Sequence, residues 1–158
     1  ANAGWYREAA LSRDGIDSVN VVPRADGAGT VALYLGGRGC APDAETVRRL
    51  SDDLNAAREI CTRVTVGAAE TIAFDITASV RAKKGFASAN VKLACEDAVR
   101  AYFFGLGVAG PVVAAALNAA LFATGTITDG TVTVPSTAVK KNQLAVCGTV
   151  TVSVTEEG

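Results

Sequence analysis

Ile72-Ala73-Phe74-Asp75-Ile76-Thr77-Ala78-Ser79-Val80-Arg81 has the cleanest period in the chain. Ile72, Phe74, Ile76, Ala78 and Val80 share one face, and Ala73, Asp75, Thr77, Ser79 and Arg81 share the other. Successive side chains of a strand point to opposite faces, so this alternation predicts a strand with one buried and one wet side, the mark of an antiparallel sheet. Phe74 and Ile76 are expected beneath helices. Asp75, on the wet side with no acidic partner in view, is expected to change stability by less than about 1 kcal/mol when replaced by alanine.

Downstream, Lys83-Lys84-Gly85 turns the chain into a helix that Ser88 is expected to cap, with Val91, Cys95, Ala98, Val99 and Tyr102 on its inner face. Gly110-Pro111 is expected to start a second helix, with proline in the first position. Two strands follow, Thr131 to Val134 and Leu144 to Val154. Gly148 interrupts the shared parity of Leu144, Val146, Val150, Val152 and Val154, where a bulge is expected.

Upstream, Gly67-Ala68-Ala69 marks the expected boundary between two units. Before it, Trp5 to Ser12 reads as a short helix and Ile16 to Val22 as a strand stopped by Pro23. The flexible turn Arg24 to Gly29 then leads to a strand in which Val31, Leu33 and Leu35 alternate with Ala32 and Tyr34, so the two strands form a hairpin. Asp43 is the expected N-cap of a helix running to about Glu59, striped by Val47, Leu50, Leu54 and Ala57. Arg48 with Asp52, and Arg49 with Asp53, are i,i+4 pairs on its outer surface. Arg63 to Val66 closes the unit with a strand. The expected fold is α+β: two small units with mostly antiparallel sheets packed against helices. Residues 1–69 (α-β-β-α-β) form a middle domain and residues 70–158 (β-α-α-β-β) a C-terminal one. There is no internal repeat and no low-complexity tract.

The chain has 158 residues and a mass of 16.0 kDa. Area scaling lets a chain of that mass bury about two-thirds of its unfolded surface, enough for a core without metals or disulfides. A hydrophobic fraction of 49% with 20% charged residues excludes wholesale disorder. Residues 1–70 carry eight basic and ten acidic side chains, and residues 71–158 carry seven and six, so neither half is a platform for nucleic acid or an anionic membrane. Histidine is absent, which excludes imidazole catalysis and His-based metal sites. Methionine is absent too, and the opening Ala1-Asn2-Ala3-Gly4 is expected to belong to an excised or processed piece of a longer protein. No signal-peptide pattern is present.

Cys40, Cys61, Cys95 and Cys147 lie 21, 34 and 52 residues apart, with no C-x-x-C pair to hold a metal or a redox couple. Free thiols in a cytoplasmically assembled protein are the expectation. No catalytic set assembles: Lys83, Lys84, Lys140 and Lys141 fall in turn-like pairs, and a Ser or Cys nucleophile lacks a base. No catalytic, cofactor-binding or metal residue is therefore assigned, and no cofactor or small-molecule substrate is expected.

Two patterns point elsewhere and are set aside. Ala101 to Thr128 holds no charge, but Gly105, Gly107, Gly110 and Pro111 would sit in the first half of any membrane span there, and much of the rest is alanine. Two buried helices are expected, with no membrane insertion. Gly105-Leu106-Gly107-Val108-Ala109-Gly110 is a literal G-x-G-x-x-G, with Asp129 19 residues after its last glycine. A dinucleotide fingerprint should follow a strand, yet Ser88 to Phe104 is helical in period. Pro111 lacks a backbone donor, and only 48 residues follow Gly110. A dinucleotide-binding enzyme fragment using the Gly105-Gly107-Gly110 loop is the alternative reading; a link between two helices is preferred.

Ala3-Gly4-Trp5-Tyr6-Arg7-Glu8-Ala9-Ala10-Leu11, then Asp14-Gly15-Ile16 and Val19-Asn20-Val21-Val22-Pro23-Arg24, resembles the phage baseplate J family. That family has a short A-x-x-Y-x-x-x-A-L helix leading into a strand that ends in Pro-Arg. The glycine-rich turn with Thr30 to Leu35, the helix Ala44 to Glu59 and the passage from Thr65 to Val80 are similar in order. So is the ending Leu144-Ala145-Val146-Cys147-Gly148-Thr149-Val150-Thr151-Val152. Ile60 to Arg63 and Cys147 depart from the pattern. The resemblance implies the middle and C-terminal domains of a structural protein of the wedge ring around the hub of a contractile tail, in Mu-like phages and related tailocins. Its implied partners are other wedge and hub subunits, with self-association as an option, and no nucleic acid. Its implied place is the virion tail baseplate, assembled in the bacterial host cytoplasm; a secretion-system baseplate component is a further alternative. Strand edges and loops, not a pocket, are the expected binding surface.

Overall fold

The computed structural model describes residues 2–58 and 62–156. The element order is α-β-β-α-β-β-α-α-β-β, as the hydrophobic periods predict. The chain folds into two compact units. The first holds residues up to Ile72 together with Gly107–Gly110 and Val139–Ala145, and the second holds Ala73–Leu106, Pro111–Ala138 and the chain from Val146.

In the first unit, α1 (Ala3–Leu11) starts where the Asn2 side chain accepts the Trp5 N–H at 3.0 Å, an N-cap that sets the helix start two residues ahead of the expected one. β1 (Ser18–Pro23) and β2 (Thr30–Gly36) form the expected antiparallel hairpin, with Val19 opposite Leu35 and Pro23 opposite Val31. Pro23 ends β1 from inside the pairing, at a strand end. The turn between them takes positive φ at Arg24 (59°), Gly27 (105°) and Gly29 (76°), conformations glycine enters without a Cβ penalty. α2 (Ala44–Ala57) then carries the chain back, so that β3 (Arg63–Ala68) pairs parallel to β2. A parallel neighbour needs such a crossover. The sheet order is β1-β2-β3, and Leu33, Leu35, Leu50 and Leu54 pack with Tyr6 and Val19 in its core.

Three expectations change here. α2 ends at Ala57, with Arg58 extended, and Glu59, Ile60 and Cys61 lie outside the described residues. Arg48 reaches Asp52 at 3.4 Å as expected, but it holds Glu45 more closely at 2.6 Å. Arg49 pairs with Glu45 at 3.2 Å, while Asp53 pairs with Arg13 at 2.6 Å, because another segment offers it a nearer cation than its own helix does. Gly67 and Ala68 belong to β3, and Ala69 is buried with its N–H on the Leu35 carbonyl at 2.7 Å. That stretch is hydrogen-bonded strand, not slack chain. Limited proteolysis is accordingly expected to cut first within Arg24–Gly29, where exposed backbone opens at low cost, and mass spectrometry of the first fragments checks it. Early cleavage inside Val91–Phe103 would contradict the assignment.

In the second sheet, β4 (Glu70–Ala82, in the second unit from Ala73) is the central strand of the order β5-β4-β6, with β5 (Ile127–Thr133) and β6 (Gln143–Glu156, in the second unit from Val146) outside it among the described residues. Its alternation holds: Phe74, Ile76, Ala78, Val80 and Ala82 are buried and the residues between them exposed. β5 runs antiparallel to β4, pairing Thr77 with Thr133 and Arg81 with Asp129, with a register shift between Arg81 and Ala82. β5 begins four residues before its expected start, because Gly130 hides the alternation from sequence.

α3 (Ser88–Phe104) buries Val91, Cys95, Val99 and Phe103, an i,i+4 ridge, and the Phe103 ring lies 6.3 Å from that of Phe74. Phe103 takes the place expected for Tyr102, whose ring is half-buried and whose hydroxyl accepts the Val113 N–H at 3.1 Å. Ala87 is the residue flanking the helix start, and Ser88 is its first helical residue; the Ser88 hydroxyl donates to Glu156 at 3.4 Å, and no side chain caps the helix start. α4 (Ala114–Phe122) starts three residues after Pro111. Val113 is extended and its N–H is held by Tyr102, which delays the helix. No helix of the described residues is long and apolar enough to cross a membrane.

Candidate functional site

The glycine sequence is spent on structure. α3 runs into it, and Gly105 follows as the C-cap with its N–H on the Ala101 carbonyl at 3.2 Å. Leu106 N–H donates to Phe103 O at 3.1 Å, Val108 N–H to Ser18 Oγ at 3.1 Å, Ala109 N–H to Gln143 O at 2.7 Å and Gly110 N–H to Gly107 O at 2.9 Å. A phosphate cradle needs such donors turned toward the ligand. Here they are used. Gly107 is small because a Cβ would stand 3.0 Å from the Ser18 Cβ, and Asp129 holds the N–H of its own neighbour Gly130 at 2.9 Å. Titration with a dinucleotide, followed by calorimetry, is expected to show no saturable heat.

Gln143 is a residue that sequence reasoning missed. It is 7% exposed, accepts the Lys140 N–H at 2.9 Å through Oε1 and donates to Glu70 at 3.3 Å through Nε2. The Lys141 carbonyl, in turn, accepts from the Asn20 side chain at 2.9 Å. The Lys140-Lys141 backbone is thus held within the first unit, a role that no local pattern announces. Buried amides persist only when hydrogen-bonded, so Gln143 acts as a clasp and not as a reactive group.

In the second unit the polar sheet face carries hydroxyls in register, Thr77 opposite Thr133 and Ser79 opposite Thr131, with the opposed charges of Arg81 and Asp129 at one end. Leu93, Phe104, Val113 and Phe122 are exposed on or beside α3 and α4, Leu93 by 59%. β5 and β6 are outer strands, and an outer strand offers backbone groups to a further one.

Residues 74–153 match the family model described as the baseplate J-like protein C-terminal domain, more than half of the chain. The chain belongs to the baseplate J-like protein family. Among solved structures it is similar to a chain in the cryo-EM structure of the anti-feeding prophage (AFP) baseplate, 6-fold symmetrised, at 13% identity and a TM-score of 0.62. That likeness covers 92% of this chain and 37% of the other, and it is a likeness of fold. No curated protein matches the chain.

The match to the baseplate J-like model begins in β4 and ends in β6, so it takes in α3, α4 and β5. The Leu144 to Val152 ending that carries the sequence resemblance lies in β6, and the Ala3 to Leu11 helix is α1. Asp75, expected to be a plain solvated carboxylate, accepts the Thr149 N–H at 2.9 Å across the sheet. No local pattern could reveal this bond, because the two residues are 74 positions apart.

Among the described residues, no group of three or more Cys, Asp or Glu is placed to hold a metal ion. Cys40 is an exposed free thiol, while Cys95 is buried and Cys147 half-buried. Burial pushes both the Cys95 and Cys147 thiols up, and at Cys147 the Arg100 charge works against it. The thiolate is the reactive form, so iodoacetamide at pH ~8 is expected to modify Cys40 in the folded protein while leaving Cys95 intact. Peptide mapping reads the order; equal modification of the two would mean that α3 is not packed as described.

Proposed function

We propose that this chain is part of a structural subunit of a contractile-tail baseplate, working through contacts with neighbouring wedge and hub subunits and not by turnover. The observation that carries this reading is the baseplate J-like match over residues 74–153. Three features support it. Net charge is −1, which leaves no field to draw nucleic acid or membrane. Exposed apolar residues and two outer strands suit protein contacts, and the N–H groups of Gly105, Leu106, Val108, Ala109 and Gly110 are occupied, which disfavours the dinucleotide alternative. Assembly in the bacterial cytoplasm and residence in the tail baseplate follow from the same reading. A secretion-system baseplate would use the same chemistry.

The test is complementation in a phage or tailocin cluster that encodes this chain. Deletion of the gene is expected to abolish sedimentable intact particles, and the wild-type gene to restore them. Full-length protein with Val152→Pro, which removes a donor from β6, is expected to accumulate in soluble form without restoring particles. Normal particles from the deletion strain would overturn the structural reading.

A further inference from the structure

Ala114, Ala115 and Asn118 of α4, with Gly130, Thr131 and Val132 of β5, line an open groove of about 250 Å³. β5 is an outer strand, so one side of its backbone has no strand beside it among the described residues. The Gly130 N–H is taken by the side chain of Asp129 at 2.9 Å, and the two-residue period puts the Val132 N–H on the same side. Across the groove stand the exposed methyls of Ala114 and Ala115, in a stretch from Ala101 to Thr128 that holds no charge. Asn118 also lines the groove, and its Oδ1 is buried without a hydrogen-bond partner. A Cβ on Gly130 would stand 3.6 Å from that oxygen, so glycine keeps the space beside Asn118 clear.

We propose that this groove takes an extended segment of a neighbouring subunit, added beside β5 as a fourth strand with small apolar side chains turned toward α4. An open strand edge is matched by another backbone, and alternate side chains then meet the flanking wall. A charged side chain there would lose water and find no counter-charge on α4. A donor from the segment reaches Asn118 once its amide turns toward the groove, and the acceptor left unpaired in the free chain is then satisfied. The proposal rests on the structural reading above but is tested on the isolated chain, so its failure and a failed complementation are separate results.

The probe is the acetylated, amidated octapeptide Thr-Ala-Thr-Ala-Thr-Ala-Thr-Ala, with a control carrying Glu in place of each Ala. Amide exchange of the 158-residue chain is followed by NMR. Saturating Thr-Ala peptide is expected to slow exchange at Val132 by about tenfold, and the Thr-Glu peptide to leave it unchanged. Ala115→Lys, an exposed helical site, should keep the fold and abolish the slowing. Asn118→Ala should keep or raise the Tm, since it removes an unpaired acceptor, yet weaken the peptide by about tenfold. Three results would overturn the proposal: no slowing at millimolar peptide, slowing that survives Ala115→Lys, or slowing that needs no peptide and rises with chain concentration, which would make the occupant a second copy.

Discussion

Phe74→Ala is expected to cost the folded chain about 3–5 kcal/mol, a large fraction of the stability of a typical domain. Phe74 is 1% exposed, and its ring meets that of Phe103 at 6.3 Å, so truncation leaves a cavity between β4 and α3 that neither backbone can close. The neighbouring Asp75→Ala is expected to cost only about 1 kcal/mol, for the lost hydrogen bond to Thr149. Urea denaturation of both variants measures the difference. Equal losses would mean that Asp75, and not the apolar face, organises this strand.

Gly148→Ala is expected to cost about 1–3 kcal/mol, although alanine is the smallest possible addition. A Cβ at this position falls on the Asp75 carboxylate and within 3.1 Å of the Phe74 carbonyl oxygen. The carboxylate cannot simply swing aside, because it holds the Thr149 N–H. Combining Gly148→Ala with Asp75→Ala should therefore cost less than the sum of the two single changes, by about 1 kcal/mol, a coupling that a double-mutant cycle in urea reads directly. Relief remains partial, since the Phe74 carbonyl stays where it is. Strict additivity would show that β6 approaches β4 elsewhere.

These two sites mark the divide between what was legible in the sequence and what was not. Phe74 was legible because a strand with one dry face writes a period of two into its own neighbours. Asp75 and Gly148 were not, because their relation joins residues in different strands, and nothing local records it. The same holds for the candidate groove. Its small uncharged wall is visible as the alanines after Val113, but the sequence does not say that they face Gly130 and Val132.

The order of the elements, the buried face of β4, the β1–β2 hairpin and the likeness to the baseplate J family could all be read from the residues alone. Each rests on local period, on turn residues or on motifs in chain order. Folding was needed to establish that β3 joins β2 in parallel, that Asp53 turns to Arg13, and that the glycine sequence gives its donors to Ser18 and Gln143. Folding also puts Gly107–Gly110 and Val139–Ala145 with the first unit, although they are distant in sequence from the residues up to Ile72 that make up the rest of it. The physical reason is common to these cases. A hydrogen bond or an ion pair is settled by the nearest partner in space, and that distance exists only once the chain has folded.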